Sequence, residues 1–120
     1  ILTVSITKYT DLNFTIRSCK GLANADGMFG VSDPFVKLVM DSRVWGTTEV
    51  VKNNLNPVFN STFHLKILES TEYQGGRINP PTLQIWDKDD GATFDTSSDP
   101  LGNCKLGWRD MFADQHTLNR

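Results

Sequence analysis

Cysteine is scarce in this sequence. Cys19 and Cys104 are the only two, too few for a disulfide scaffold or a cysteine-rich zinc site. One bridge between them is open, and two buried free thiols is the preferred reading. Alanine is nearly as rare, at four residues, while valine, isoleucine and threonine total 26. That imbalance favours strands over helices. Long apolar runs are missing, and none approaches the ~18–20 residues of a membrane-spanning helix. Neither sign of charge dominates. Twelve basic residues face 14 acidic ones, for a net charge of −2, which excludes the bulk-basic footprint of a nucleic-acid binder. The chain opens on alternating apolar and polar residues rather than on a secretory signal. Its 120 residues suffice for one core and one domain.

What is present is a repeated period of two. Leu2, Val4 and Ile6 alternate with Thr3, Ser5 and Thr7. Leu12, Phe14 and Ile16 alternate with Asn13, Thr15 and Arg17. Val36, Leu38 and Met40 share a face, and residues 44–51 are rich in β-branched side chains. Phe63, Leu65 and Ile67 form another series, as do Leu83 and Ile85. Further strands are expected near 101–107 and 115–119. About eight short strands predict an antiparallel sandwich, each sheet burying one face.

The connections are unequal. Residues 8–11 leave room only for a tight hairpin. Residues 20–32 (KGLANADGMFGVS) form a long loop of glycine and small residues. Residues 53–58 (NNLNPV) read as a turn stopped by Pro57. Residues 68–81 make a long crossover, and residues 109–114 fit one helical turn.

Acidic residues concentrate in one place. Five of the 14 carboxylates lie within 87–99: Asp87, Asp89, Asp90, Asp95 and Asp99, opposed there only by Lys88. Asp87 and Asp89, two apart at a strand end, point the same way. Such a pair repels itself and holds its protons more tightly unless a cation intervenes. Asp26 and Asp33, at and just beyond the 20–32 loop, would join them if the loops lie together at one end of a sandwich. Calcium takes six to eight oxygen ligands at roughly 2.3–2.6 Å, and about two or three such ions would neutralise most of this set. A solvated acidic loop is the competing reading of the charge run alone.

Three segments carry a family resemblance. Ser32-Asp33-Pro34-Phe35-Val36-Lys37 resembles the SDPYVK element of C2 domains. Leu55-Asn56-Pro57-Val58-Phe59-Asn60 resembles their LNPxWN element. Trp86-Asp87-Lys88-Asp89 followed by Asp99-Pro100-Leu101-Gly102 resembles their DxD…DxxG loop. The three stand in the family's order and span nearly the whole chain. The resemblance implies an all-β, eight-stranded Greek-key sandwich of synaptotagmin-like topology, with residues 2–7 as the extra leading strand. It also implies calcium-binding loops at one end, and residues 1–120 as a single domain of a larger protein. Calcium ligands would be Asp26, Asp33, Asp87, Asp89 and Asp99, with Lys88 offering its backbone carbonyl and Asp95 reaching an outer ion. Within the family, Trp45 to Phe59 (WGTTEVVKNNLNPVF) and the ten-residue interval from Asp89 to Asp99 are similar to copines. The Leu101-Gly102-Asn103-Cys104 run is also similar to the C2 domain of perforin.

This sequence departs from the family pattern at several points. Asp26 and Asp33 are seven apart, where six is usual. Asp95 has the usual distance from Asp89, whereas Asp99 has the usual sequence context. Asp99 is preferred as the last ligand because Leu101 and Gly102 must start the next strand in fixed register. Lys37 matches the basic strand of phosphoinositide-binding relatives, but Thr47 and Glu49 replace its expected lysines.

Loop tips suggest the membrane half of a mechanism. Met28 and Phe29 lie between Gly27 and Gly30, and Phe94 is central in the third loop. Burying each in lipid would stabilise docking by roughly 1.5–3 kcal/mol; folding back onto the sandwich is the alternative. Calcium would bridge these loops to an anionic phospholipid bilayer. The expected function is therefore calcium-dependent membrane binding, with a calcium-independent protein-interaction domain as the alternative. An enzyme using magnesium at Asp87 and Asp89 fits poorly, since no phosphate loop or general base accompanies them. Copine-like or synaptotagmin-like parents would be cytoplasmic and recruited to membranes by calcium; a perforin-like parent would be extracellular. His64 and His116 read as structural, and Asn13-Phe14-Thr15 and Asn60-Ser61-Thr62 match glycosylation sequons.

Overall fold

The structure is a computed structural model that describes residues 1–5, 9–24, 30–68, 80–88 and 98–107. Within them run six strands: β1 (Tyr9–Ser18), β2 (Pro34–Met40), β3 (Arg43–Thr47), β4 (Val58–Leu68), β5 (Thr82–Lys88) and β6 (Ser98–Lys105). They form two antiparallel sheets. One pairs β1 with β4, and the other has the order β3-β2-β5-β6.

The alternation seen in the sequence explains how these sheets close on each other. In β2, Val36, Leu38 and Met40 are buried while Lys37 and Val39 are only half-buried. Leu38 from β2, Leu65 from β4 and Leu106 beyond β6 form the centre of the core. Leu12, Phe14 and Phe63 pack on it from one sheet, Leu83 and Cys104 from the other. Each fully buried leucine contributes roughly 1.5–3 kcal/mol through its removal from water. Leu38→Ala should therefore lower unfolding free energy by about 2–5 kcal/mol, measured by urea denaturation.

The sheets approach closely where β3 meets β4. A side-chain carbon at Gly46 would overlap the Phe63 ring. Only glycine lets that aromatic seat itself against the backbone of β3.

The turn between β2 and β3 is two residues long. Asp41 and Ser42 both have positive φ, 55° and 58°, and Met40 pairs with Arg43 across them. This is the mirror-image turn whose twist suits a two-residue hairpin. Proline is confined to positions that need no ladder donor. Pro34 opens β2, and Pro100 lies in β6, the edge of the sheet among the described residues.

Three expectations change. Residues 2–5 of the expected leading strand form no strand, and Leu2 and Val4 are 87% and 65% exposed. An alternating pattern alone does not hold a strand without a pairing edge and a covered face. The expected hairpin at 8–11 gives way to β1, which already begins at Tyr9. The β-branched stretch 44–51 is strand only to Thr47, although Thr48 and Val51 still donate backbone hydrogen bonds to Val36 and Pro34. The expected strand at 115–119 and helical turn at 109–114 lie outside the described residues.

Candidate acidic site at one end of the sandwich

Sheet register brings together residues that are far apart in sequence. Pro34 pairs with Asp87, and Asp87 pairs with Asp99. Asp33, Asp87 and Asp99 therefore sit at the same end of neighbouring strands β2, β5 and β6. A bulge between Ile85 and Trp86 shifts the β5–β6 register before that point, so it helps decide that Asp99 is the residue facing Asp87.

The carboxylates are held by backbone amides. The Asp33 N–H donates to Asp87 Oδ1 at 2.7 Å, and the Asn53 N–H donates to Asp33 Oδ1 at 2.7 Å. Lys88 N–H donates to the Asp33 carbonyl at 3.0 Å, locking β5 to the entry of β2. Asp87 is completely buried and Asp33 nearly so. Asp99 and Lys88 are exposed.

Asp87 Oδ2 is buried and has no hydrogen-bond partner among the described residues. A carboxylate oxygen taken out of water without a donor or a cation is costly. The donor chemistry here, all carboxylate oxygen, fits a hard cation such as calcium. Among the described residues, no three histidine, cysteine or carboxylate side chains by themselves form a closed cluster. Asp26, Asp89 and Asp95, which the sequence assigns to the same site, lie outside the described residues. So do Met28, Phe29 and Phe94.

The loop bases around the site are tied together. Asn24 Nδ2 donates to the Gly30 carbonyl at 2.9 Å, across the mouth of the first loop. Leu22 N–H donates to the Leu55 carbonyl at 3.0 Å and Gly21 N–H to Asn56 Oδ1 at 2.9 Å. The 53–57 turn thus touches both the first loop and, through Asn53, the Asp33 carboxylate. In the sequence this stretch reads only as a turn. The available signal is the run of asparagines, the residue type other than glycine that best tolerates positive φ.

On the sheet face, Lys37 lies over the rings of Phe35 and Trp86, 5.7 and 5.2 Å from their centroids. Thr47 pairs directly with Lys37, so no second cation stands opposite it. Cys19 and Cys104 are free thiols, half-buried rather than buried. Burial pushes the Cys19 thiol up, which makes it a weak nucleophile. His64 Nδ1–H donates to Asn13 Oδ1 at 2.8 Å, and its Nε2 lies 3.4 Å from Asp11. These are cross-strand contacts on the exposed face of β1 and β4.

The fold and site together define an antiparallel β-sandwich with an acidic loop end. Residues 10–120 match the C2 domain family, and the chain belongs to that family. Synaptotagmin-like protein 2 of Mus musculus is 37% identical over 83 residues, covering 66% of this chain but 8% of the relative. A solved pair of C2 domains from extended-synaptotagmin 2 superposes with a TM-score of 0.70 at 18% identity, covering 92% of this chain and 34% of that one. The calcium-bound form of that pair gives a TM-score of 0.63 at 18% identity, covering 83% and 35%. At these identities the solved structures share the fold.

Proposed function

We propose that this domain docks on anionic phospholipid membranes when calcium occupies its acidic end. The observation that carries the reading is the fully buried Asp87 Oδ2, without a hydrogen-bond partner among the described residues, set beside Asp33 and opposite Asp99 in register. Membership of the C2 family supports a membrane-lipid-binding module, and the calcium-bound relative supports the choice of ion.

Asp26, Asp33, Asp87, Asp89 and Asp99 would hold the ions, with Asp95 at the periphery and the Lys88 carbonyl as a further oxygen. Bound calcium supplies positive charge and open coordination positions toward lipid phosphate and carboxylate oxygens. The protein's own contribution is preorganisation. Backbone amides fix one oxygen of Asp33 and one of Asp87, so the remaining oxygens are aimed before any cation arrives. Met28, Phe29 and Phe94 would then enter the interface. The chain performs no chemistry in this reading; it binds.

Isothermal titration with calcium, in the presence and absence of anionic liposomes, tests the proposal. Calcium binding strengthened by liposomes is the expected result. Liposome or protein binding without calcium would favour the calcium-independent interaction domain instead.

A stability change should accompany binding. Ligation of the native state alone stabilises by mass action, about 2.7 kcal/mol at a hundredfold excess over Kd. For a domain this size that corresponds to roughly 10 °C in Tm. Magnesium should give a much smaller rise, because it prefers a tight octahedron and keeps its waters. Equal shifts with both ions, read by differential scanning calorimetry, would indicate only charge screening.

A further inference from the structure

We infer that Asn53 is a positioning residue for the cation site, acting through its backbone amide rather than its side chain; this rests on the calcium reading above. Asn53 has a φ of 52°. In that left-handed conformation its N–H points to Asp33 Oδ1 at 2.7 Å. The neighbouring amides serve a different purpose. Val51 N–H goes to the Pro34 carbonyl at 2.9 Å and Asn54 N–H to the Ser32 carbonyl at 3.1 Å. These two bonds continue the β3–β2 pairing past the end of β3. Asn53 is the residue between them whose amide is released from backbone pairing and turned onto a side chain.

The consequence is a two-step chain of amides and carboxylates. Asn53 N–H fixes Asp33 Oδ1, and Asp33 N–H fixes Asp87 Oδ1. Each bond is short and charge-assisted, the kind that orients a carboxylate firmly. Asp33 and Asp87 are both buried, so neither can be reoriented by solvent. The second oxygen of each is what remains for a cation.

The same turn is anchored to the first loop. Leu55 and Pro57 carbonyls accept from Leu22 and Cys19, and Asn56 Oδ1 accepts from Gly21. Asn54 Oδ1 accepts from the Asn56 N–H at 2.8 Å, bracing the turn internally. The turn therefore couples the base of the first loop to the orientation of Asp33.

A left-handed backbone is open to glycine, tolerable for asparagine and strained for β-branched residues. Asn53→Val should relax out of that conformation in the metal-free protein. Cation binding must then restore it, which costs affinity. Calorimetry should show calcium binding about ten-fold weaker in Asn53→Val, while Asn53→Gly stays within about two-fold of the parent. In an Asp33→Asn background the valine effect should shrink to under about two-fold, because the oriented charge is gone. Should Asn53→Val not fold, Asn53→Ala carries a smaller strain of the same sign and serves in its place.

A second readout needs no metal. In the calcium-free protein the Asn53 amide proton should resonate downfield and exchange slowly with solvent, and Asp33→Ala should abolish both features. Undiminished calcium affinity in the strained variant overturns the inference. So does an equal loss in Asn53→Gly, which would assign the effect to the side chain. A parent that binds no calcium yet shows the protected Asn53 amide would overturn the calcium reading while leaving the amide–carboxylate contact in place. An unprotected amide in a calcium-binding parent would overturn the positioning role alone.

Discussion

Asp87→Asn should remove most of the calcium affinity and leave the fold standing. Stripping one partner from a buried charge pair costs about 3–5 kcal/mol, on the order of 100- to 4000-fold in affinity. Asp87 is the carboxylate on which that penalty falls hardest. It is fully buried, and one of its oxygens has no partner among the described residues. Asparagine keeps an oxygen to accept the Asp33 N–H at the position of Oδ1. It also removes a buried negative charge that, before calcium binds, is costly to hold out of water. Metal-free Tm should therefore hold or rise, while calorimetric calcium binding collapses. Intact calcium affinity in this variant would remove Asp87 from the site.

Phe94→Ala should weaken attachment to calcium-loaded anionic liposomes by roughly 1–3 kcal/mol, the loss expected when a ring leaves lipid. Calcium affinity without liposomes should barely move, since phenylalanine offers no side-chain oxygen. Salt separates the two contributions. High ionic strength screens the attraction between the loaded loops and the bilayer, but leaves the insertion of an apolar ring largely intact. The mutational loss should thus persist at high salt, in co-sedimentation or in fluorescence titration. If the variant binds loaded liposomes as tightly as the parent, Phe94 belongs to the fold and not to the membrane contact.

Some of this is legible in the sequence because it depends on local rules. Val36, Leu38 and Met40 alternate with polar or half-buried neighbours, and a strand buried on one face needs nothing more. The acidic run at 87–99 stands out by composition, since like charges are rarely crowded without a reason. The turn at Asp41 and Ser42 is not legible. It uses left-handed backbone at two non-glycine residues, and no Asn-Gly or Asp-Gly pair marks it. The start of the expected leading strand, residues 2–5, differs for the opposite reason. Leu2 and Val4 have a strand's pattern, but over residues 1–5 no strand forms.

Composition and periodicity are enough to set the class of the domain: many short strands, few helix formers, and one region dense in carboxylates. They also set which residue types are available for a hard cation. They do not set which carboxylates meet. Asp33 and Asp87 are 54 positions apart, and only the pairing of β2 with β5 sets the amide of one on the oxygen of the other. Asp99 faces Asp87 because a bulge absorbs one residue of β6 before that point. Burial of Asp87 is likewise a product of the tertiary structure, for no local pattern states how much water a carboxylate will keep. The role of Asn53 depends on a backbone torsion and on the end of a ladder. Torsions are selected by the packing around them, and so the amide that orients Asp33 became visible only in the folded chain.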